Sequence, residues 1–250
     1  MTDLLRGRTA IITGGSRGIG RAIARRFAAQ GASSLLVATT PGHLESAAAE
    51  VRTMGVRVET LCGDVSDPDL AARALDLCTD RLGQVDILVT CAGIISRTPF
   101  EDLPFAEWRR VLDVNLDGTF HFCQRIIPSM AAAGGGSVIT MTSQMAKLPH
   151  PSAAPSYEVS KAGIVALTRH LALRFARRGV RVNGIAPGSI DTDMPKSMKV
   201  EARERLRQAI PMGRLGEPDE VGNAAVFLAS PMSSYLTGEI LDVNGGSLMD

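Results

Sequence analysis

Little in this chain suggests binding at a distance. Its 27 basic and 26 acidic residues leave a net charge of +1. That gives no electrostatic case for nucleic acid or an acidic membrane surface, so neither partner is expected. Cysteine is sparse, and Cys62, Cys78, Cys91 and Cys123 show no Cys-x-x-Cys pair and no cysteine/histidine ligand spacing. This argues against a disulfide framework and offers no metal site; three of the four lie in apolar stretches, as small core residues do. Long apolar runs are missing too, since none reaches the roughly 18 residues that a membrane-crossing helix needs. Arg6 and Arg8 lead straight into a strand instead of an apolar leader. A soluble, cytoplasmic protein is the expectation.

Aromatics make up only 4% of the chain, with two tyrosines, 157 and 235, and the lysines are four, at 147, 161, 196 and 199. Against that scarcity Tyr157-Glu158-Val159-Ser160-Lys161 is informative, because random placement would produce a Tyr-x-x-x-Lys roughly 0.03 times. Residues four apart share a helix face. An ammonium would then lie beside a phenol whose ordinary pKa is about 10 and favour the phenolate. A phenol so tuned can give or take a proton at a carbonyl or alcohol oxygen.

Two hundred and fifty residues, 45% of them hydrophobic, suffice for one large α/β core. Strands are expected at Thr9–Thr13, Leu35–Ala38, Val58–Cys62, Ile87–Thr90, Val138–Thr142, Val182–Ala186 and Ile240–Val243. Helical spacing predicts helices over Arg17–Gln30, Leu44–Met54, Pro68–Leu82, Phe105–Ile127 and Tyr157–Arg177. Alternation of this kind argues for a parallel sheet covered on both faces. Seven strands without a compositional break suggest one doubly wound domain over residues 1–250. Between the first strand and first helix lies Thr13-Gly14-Gly15-Ser16-Arg17-Gly18-Ile19-Gly20. Its glycines allow a sharp turn and close approach to a pyrophosphate, which the helix N-terminus can bind.

With those residues in view, the chain resembles the short-chain dehydrogenase/reductase family along essentially its whole length. The resemblance rests on the Thr13–Gly20 loop, Asp64-Val65, Ala92-Gly93, Asn115, Ser143, Tyr157 and Lys161. It continues in Arg181-Val182-Asn183, Pro187-Gly188, Leu236-Thr237-Gly238-Glu239 and Asn244-Gly245-Gly246. It implies a Rossmann-type sheet and hydride transfer between a nicotinamide cofactor and a small carbonyl or alcohol substrate. By the same resemblance, Tyr157 is the proton donor and acceptor and Ser143 holds the substrate oxygen. Lys161 lowers the tyrosine pKa and binds the nicotinamide ribose, while Asn115 supports a water-mediated relay to Lys161. Cofactor contacts are implied for Gly14, Ser16, Arg17, Gly18, Ile19, Gly20, Thr39, Thr40, Asp64, Val65, Ala92, Gly93, Tyr157, Lys161, Pro187, Gly188, Ile190 and Thr192. On their own, Asn115 also reads as a helix asparagine bonding backbone, and Asp64 as a turn former with Asp67-Pro68.

Two departures stand out. The family's usual Asn-Asn-Ala-Gly reads Thr90-Cys91-Ala92-Gly93, and Ser143 lies 14 residues before Tyr157, one more than is common in the family. The additional residue is expected in Lys147–Ser152, where His150 reads as a pocket wall or exposed turn. No carboxylate follows the second strand before Glu45; with Arg17, Thr39 and Thr40 at hand this favours NADP(H), leaving NAD(H) open. The segment 192–214 is expected to be the substrate lid, with Met194, Met198, Ile210 and Met212 as apolar contacts. The tail Pro211–Pro218 resembles 3-oxoacyl-carrier-protein reductases, which makes a 3-oxoacyl thioester the first substrate class. A small ketone, polyol or sugar is the second, and a silent cofactor-binding scaffold is the reading from another class. A homotetramer is implied by the resemblance.

Overall fold

Seven short apolar runs become seven strands: β1 Thr9–Thr13, β2 Ser33–Ala38, β3 Val58–Cys62, β4 Ile87–Thr90, β5 Gly136–Met141, β6 Val180–Pro187 and β7 Ile240–Val243. The computed structural model describes residues 3–149, 153–192 and 200–249. All seven strands are parallel, in the order β3-β2-β1-β4-β5-β6-β7. The helices are α1 Gly18–Ala28, α2 Pro41–Arg52, α3 Leu70–Arg81, α4 Phe105–Leu112, α5 Gly118–Ala132, α6 Pro155–Phe175, α7 Val200–Ala209 and α8 Pro218–Ala229.

Neighbouring strand residues serve opposite faces, as the period of two requires. Ile12, Leu36, Val89 and Ile139 pack with Ile23 and Phe27 of α1, Leu44 of α2 and Val221 of α8. Ile11, Leu35, Leu88 and Val138 pack on the other face with Leu70 of α3, Phe122 and Ile126 of α5, and Ala172 of α6. Each fully buried Ile, Leu or Phe contributes about 1.5–3 kcal/mol, so the sheet is held from both sides.

Two differences from the sequence expectation bear on function. Helix α8 was not anticipated, yet it packs along α1 and closes one face. Its start is marked by Pro218 in the first turn and by a capping box between Glu217 and Glu220. The expected single helix over Phe105–Ile127 is interrupted by a π turn at Asp113–Asp117 and runs on to Ala132. The insertion turns Asn115 inward, where it is fully buried. Because the strand order reverses between β1 and β4, a crevice opens beyond their C-terminal ends. The loops after β1, β4, β5 and β6 converge there.

Candidate active site

The glycine loop is shaped by two close approaches. Gly14 has φ +68°, and a Cβ there would stand 2.9 Å from Ala92 Cα and N. A Cβ on Gly20 would stand 2.2 Å from the Gly14 carbonyl oxygen. Neither position admits a side chain, so β1, the β4 loop and α1 close on one another. Thr13 Oγ1 fastens the junction by accepting the backbone N–H groups of Cys91 and Ala92, both at 3.1 Å. Arg17 caps α1 in an extended conformation, and no acidic residue occupies that helix's first turn. Ser16 is buried, Ile19 half-buried and Arg17 exposed, with no ion pair among the described residues. Gly18 faces the Thr192 methyl, and both border a small open cleft of about 200 Å³ on the outer side of α1, lined also by Arg21, Arg25, Glu50 and Asp191.

These features fit a dinucleotide. The cradle is bare backbone at a helix N-terminus, the arrangement that binds pyrophosphate. Deeper in, a Cβ on Gly93 would lie 3.3 Å from Asn115 Oδ1 and 3.5 Å from Lys161 Nζ. Glycine therefore leaves room beside an ammonium and an amide.

Asn115, Ser143, Tyr157 and Lys161 converge from three elements, Tyr157 and Lys161 both lying on α6. Asn115 Oδ1 accepts the Ile94 N–H at 2.8 Å, and Nδ2 donates to Ile94 O at 2.9 Å and Ser160 Oγ at 3.0 Å. Ser160 Oγ in turn donates to the Tyr157 carbonyl at 2.6 Å. Ser143 follows β5 and caps a short 3₁₀ turn, accepting the Met145 N–H on Oγ at 3.1 Å. That leaves its own proton free on the side of the Tyr157 phenol, whose pKa the Ser143 hydroxyl lowers. Lys161 is buried, donates to Met141 O at 2.8 Å, and holds its Nζ 5.7 Å from the Tyr157 ring centroid.

The electrostatics depart from expectation. Burial pushes the Tyr157 phenol above its usual range; the Ser143 hydrogen bond pulls down and the Cys91 sulfur pushes up. Depression by Lys161 is not among these influences, because its ammonium is turned to the Met141 carbonyl. The lysine itself is lowered by burial to about 8.

Thr39 and Thr40 are exposed just after β2, Thr40 capping α2, whose first turn has no acidic residue. Glu45, the first carboxylate beyond, is engaged by Arg52. Val65 is buried, whereas Asp64 receives Arg110, the Ser66 N–H and the Ser66 hydroxyl, and its pKa lies below the usual range despite partial burial. Pro187 ends β6, the Gly188 N–H bonds Val243 O at 2.9 Å, and Ile190 is buried against Gly216. In the longer loop, Lys147 Nζ reaches Asp242 at 2.6 Å. His150, Met194 and Met198 lie outside the described residues.

Four residues of the site were not anticipated in any role there. Ser160 and Thr13 act as hydroxyl connectors. The Met141 carbonyl is the lysine's acceptor. Cys91 sits half-buried near Lys161 and Tyr157, its thiol pushed up to about 11 by burial. Only Cys91 carried a signal, as a departure from the family pattern.

A sheet reversing at a glycine loop, with Ser, Tyr and Lys gathered at the reversal, defines a nicotinamide-linked oxidoreductase scaffold. A family model described as enoyl-(acyl carrier protein) reductase matches residues 14–247. The 7alpha-hydroxysteroid dehydrogenase of Escherichia coli (strain K12) is 39% identical over 248 residues, covering 98% of this chain and 96% of that one. The 3-oxoacyl-[acyl-carrier-protein] reductase of Thermotoga maritima is 34% identical over 242 residues, covering 97% and 98%. Among solved structures, a 7alpha-hydroxysteroid dehydrogenase complexed with NADH and 7-oxo glycochenodeoxycholic acid matches with a TM-score of 0.94 at 37% identity, covering 99% and 97%. The chain belongs to the short-chain dehydrogenase/reductase family and is an NAD(P)-dependent oxidoreductase acting on CH–OH or C=O groups. Among the described residues no helix is long and apolar enough to cross a membrane.

Proposed function

We propose that the chain reduces the carbonyl of an apolar substrate with NADPH, a 3-oxoacyl thioester first, with Asn115, Ser143, Tyr157 and Lys161 as its working set. The observation that carries this is the grouping of a buried Ser143 hydroxyl, which lowers the Tyr157 pKa, with a buried Lys161 whose Nζ lies 5.7 Å from the Tyr157 ring centroid. Bound nicotinamide would supply the hydride. With a substrate carbonyl bound between them, Ser143 and Tyr157 would both donate to its oxygen, stabilising the charge that grows there, and Tyr157 would pass its proton to it. Lys161, at about 8, can change protonation near neutral pH and restore that proton, with Asn115 fixing the space between them. Gly14, Ser16, Gly18, Ile19 and Gly20 would hold the pyrophosphate, Gly93 and Lys161 the nicotinamide ribose, and Ala92, Pro187, Gly188, Ile190 and Thr192 the nicotinamide side. Asp64 and Val65 would flank the adenine.

Preference for NADP(H) is supported by the unpaired Arg17, exposed Thr39 and Thr40, and an α2 start without a carboxylate. Free thioesters are favoured over carrier-bound ones, since the exposed face of α6 carries Leu173, 86% exposed, which gives an acidic carrier no electrostatic steering. A second reading, oxidation or reduction at a ring position of a steroid-like alcohol, is favoured by the hydroxysteroid dehydrogenase relative. Exposed Ile94 and Leu148, on the loops following Gly93 and Ser143, fit either apolar substrate. The lid is taken to span residues 192–214. Assembly as a tetramer is supported by Phe120 and Val159, exposed on α5 and α6, and by β7 at the sheet edge; native mass measurement tests it.

Consumption of NADPH with acetoacetyl-CoA, compared with NADH and with Tyr157→Phe, tests the activity. Wild-type turnover is expected to disappear in the variant. Turnover only with hydroxysteroids would replace the thioester reading by the second one. No turnover with either class would move the assignment to the small ketones, polyols and sugars expected as the second substrate class.

A further inference from the structure

Helix α6 begins with Pro155 and Glu158 in its first turn but with no side-chain cap. Its N-cap is Ala154, and Pro155 has no N–H. Tyr157 lies in that first turn, so wherever the helix starts, the phenol follows. What holds the start is another loop: the Ala154 N–H donates to Ser96 O at 3.0 Å, and the Tyr157 N–H to Ala154 O at 3.0 Å. Ser96 is buried.

That loop is itself clipped twice by one helical rod. At its near end, Asn115 takes both the N–H and the carbonyl of Ile94. At its far end Glu107, on α4, accepts the Ser96 hydroxyl on Oε1, and the Thr98 hydroxyl at 2.9 Å on Oε1 and 3.1 Å on Oε2. The Thr98 N–H adds a bond to Ser96 Oγ at 3.2 Å. A half-buried carboxylate spent on two hydroxyls of one loop is a rigid fitting, because charge-assisted hydrogen bonds are roughly twice as strong as neutral ones.

We infer that Glu107 is a positioning residue for Tyr157, acting through Ser96 and Ala154 to set the phenol against Ser143. The inference rests on the reductase reading for its kinetic arm only. Displacement of an oriented proton donor from its partner slows the chemical step, whereas the glycine-loop cradle, built from other segments, is untouched.

The test uses the full-length chain with Glu107→Ala, Glu107→Gln and Thr98→Val. Glutamine keeps an oxygen at the position that takes both hydroxyls. Glu107→Ala is expected to lower kcat about tenfold with the KM for NADPH changed by less than about twofold. Glu107→Gln is expected to recover most of the loss, and Thr98→Val to show a smaller loss of the same kind. A second readout needs no turnover. In a Tyr235→Phe background Tyr157 is the sole tyrosine, and its ring Cζ resonance in ¹³C-tyrosine-labelled protein reports the setting of the phenol beside Ser143. That resonance is expected to move in Glu107→Ala and to stay in Glu107→Gln. If Glu107→Ala does not fold, Thr98→Val carries both readouts. An unmoved resonance, or kcat and cofactor KM changing in proportion, overturns the inference. Wild-type silence toward every carbonyl sinks the reductase reading alone, and the resonance still decides the role of Glu107.

Discussion

Replacing Lys161 with methionine should make the protein more stable while silencing it. The ammonium is fully enclosed, and burial holds it at about 8 instead of 10.5. Keeping the charge there at pH 7 therefore costs about 3 kcal/mol, at ~1.4 kcal/mol per pH unit. Methionine follows the same path with no charge but leaves the Met141 carbonyl without its donor, a loss of about 1 kcal/mol. The net expectation is about 2 kcal/mol of added stability at pH 7, or about 6 °C in Tm for a chain of this size. The sign follows from proton binding. Below pH 8 both folded and unfolded states carry the proton, so the cost is full. Between about 8 and 10.5 the unfolded chain binds more protons, so wild-type stability recovers through this group and the variant's advantage fades. Urea unfolding of both proteins without nicotinamide, at pH 7, 9 and 10.5, measures it. A variant less stable than wild type at pH 7, or an advantage that does not change with pH, would refute the reasoning.

Arg17→Ala should weaken NADPH binding about tenfold or more, the worth of a charge-assisted contact, while NADH binding moves little; equal losses in titration calorimetry would remove the 2′-phosphate assignment. Gly20→Ala should destabilise the fold by about 2–3 kcal/mol in urea unfolding, because its methyl would meet the Gly14 carbonyl at 2.2 Å; a neutral result would mean the loop yields. Glu220, held down to about 2 chiefly by Arg214 and the Glu217 backbone, supports the start of α8 only while ionised. That support is present above the unfolded value near 4.5 and is lost as pH falls toward about 2. Glu220→Gln should therefore lower Tm at pH 7, by a margin that shrinks below pH 4.5; a constant margin would count against it.

The strands, the glycine loop and the Tyr157/Lys161 pairing could be read in advance because each depends on local chemistry, whereas Asn115 and Ser143 entered only through the family resemblance. Apolar period, turn-forming glycine and a four-residue spacing are written in consecutive residues. What escaped depends on distant partners. The π turn at Asp113–Asp117 exists because Asn115 is drawn to Ile94 and Ser160, and no local preference announces it. Spacing correctly put Lys161 on the face of Tyr157, yet its direction is decided by the Met141 carbonyl, 20 positions away. The rise in the tyrosine's pKa reflects burial, which composition alone does not reveal. Helix α8 was legible in its Pro218 start and Glu217/Glu220 pair, but its small and apolar residues are buried with little polar contrast to mark a face.

The π turn also constrains how the gene can change. A helical residue turns about 100° from its predecessor, so one codon gained or lost between Glu107 and Asn115 would swing one of them away from the loop they share. Point substitutions on the exposed side of that stretch, such as Ala106 and Arg109, leave the phase intact. Length polymorphism between those two positions should therefore be rarer than substitution, and the eight-residue interval between them acts as a ruler that evolution can repaint but not recut.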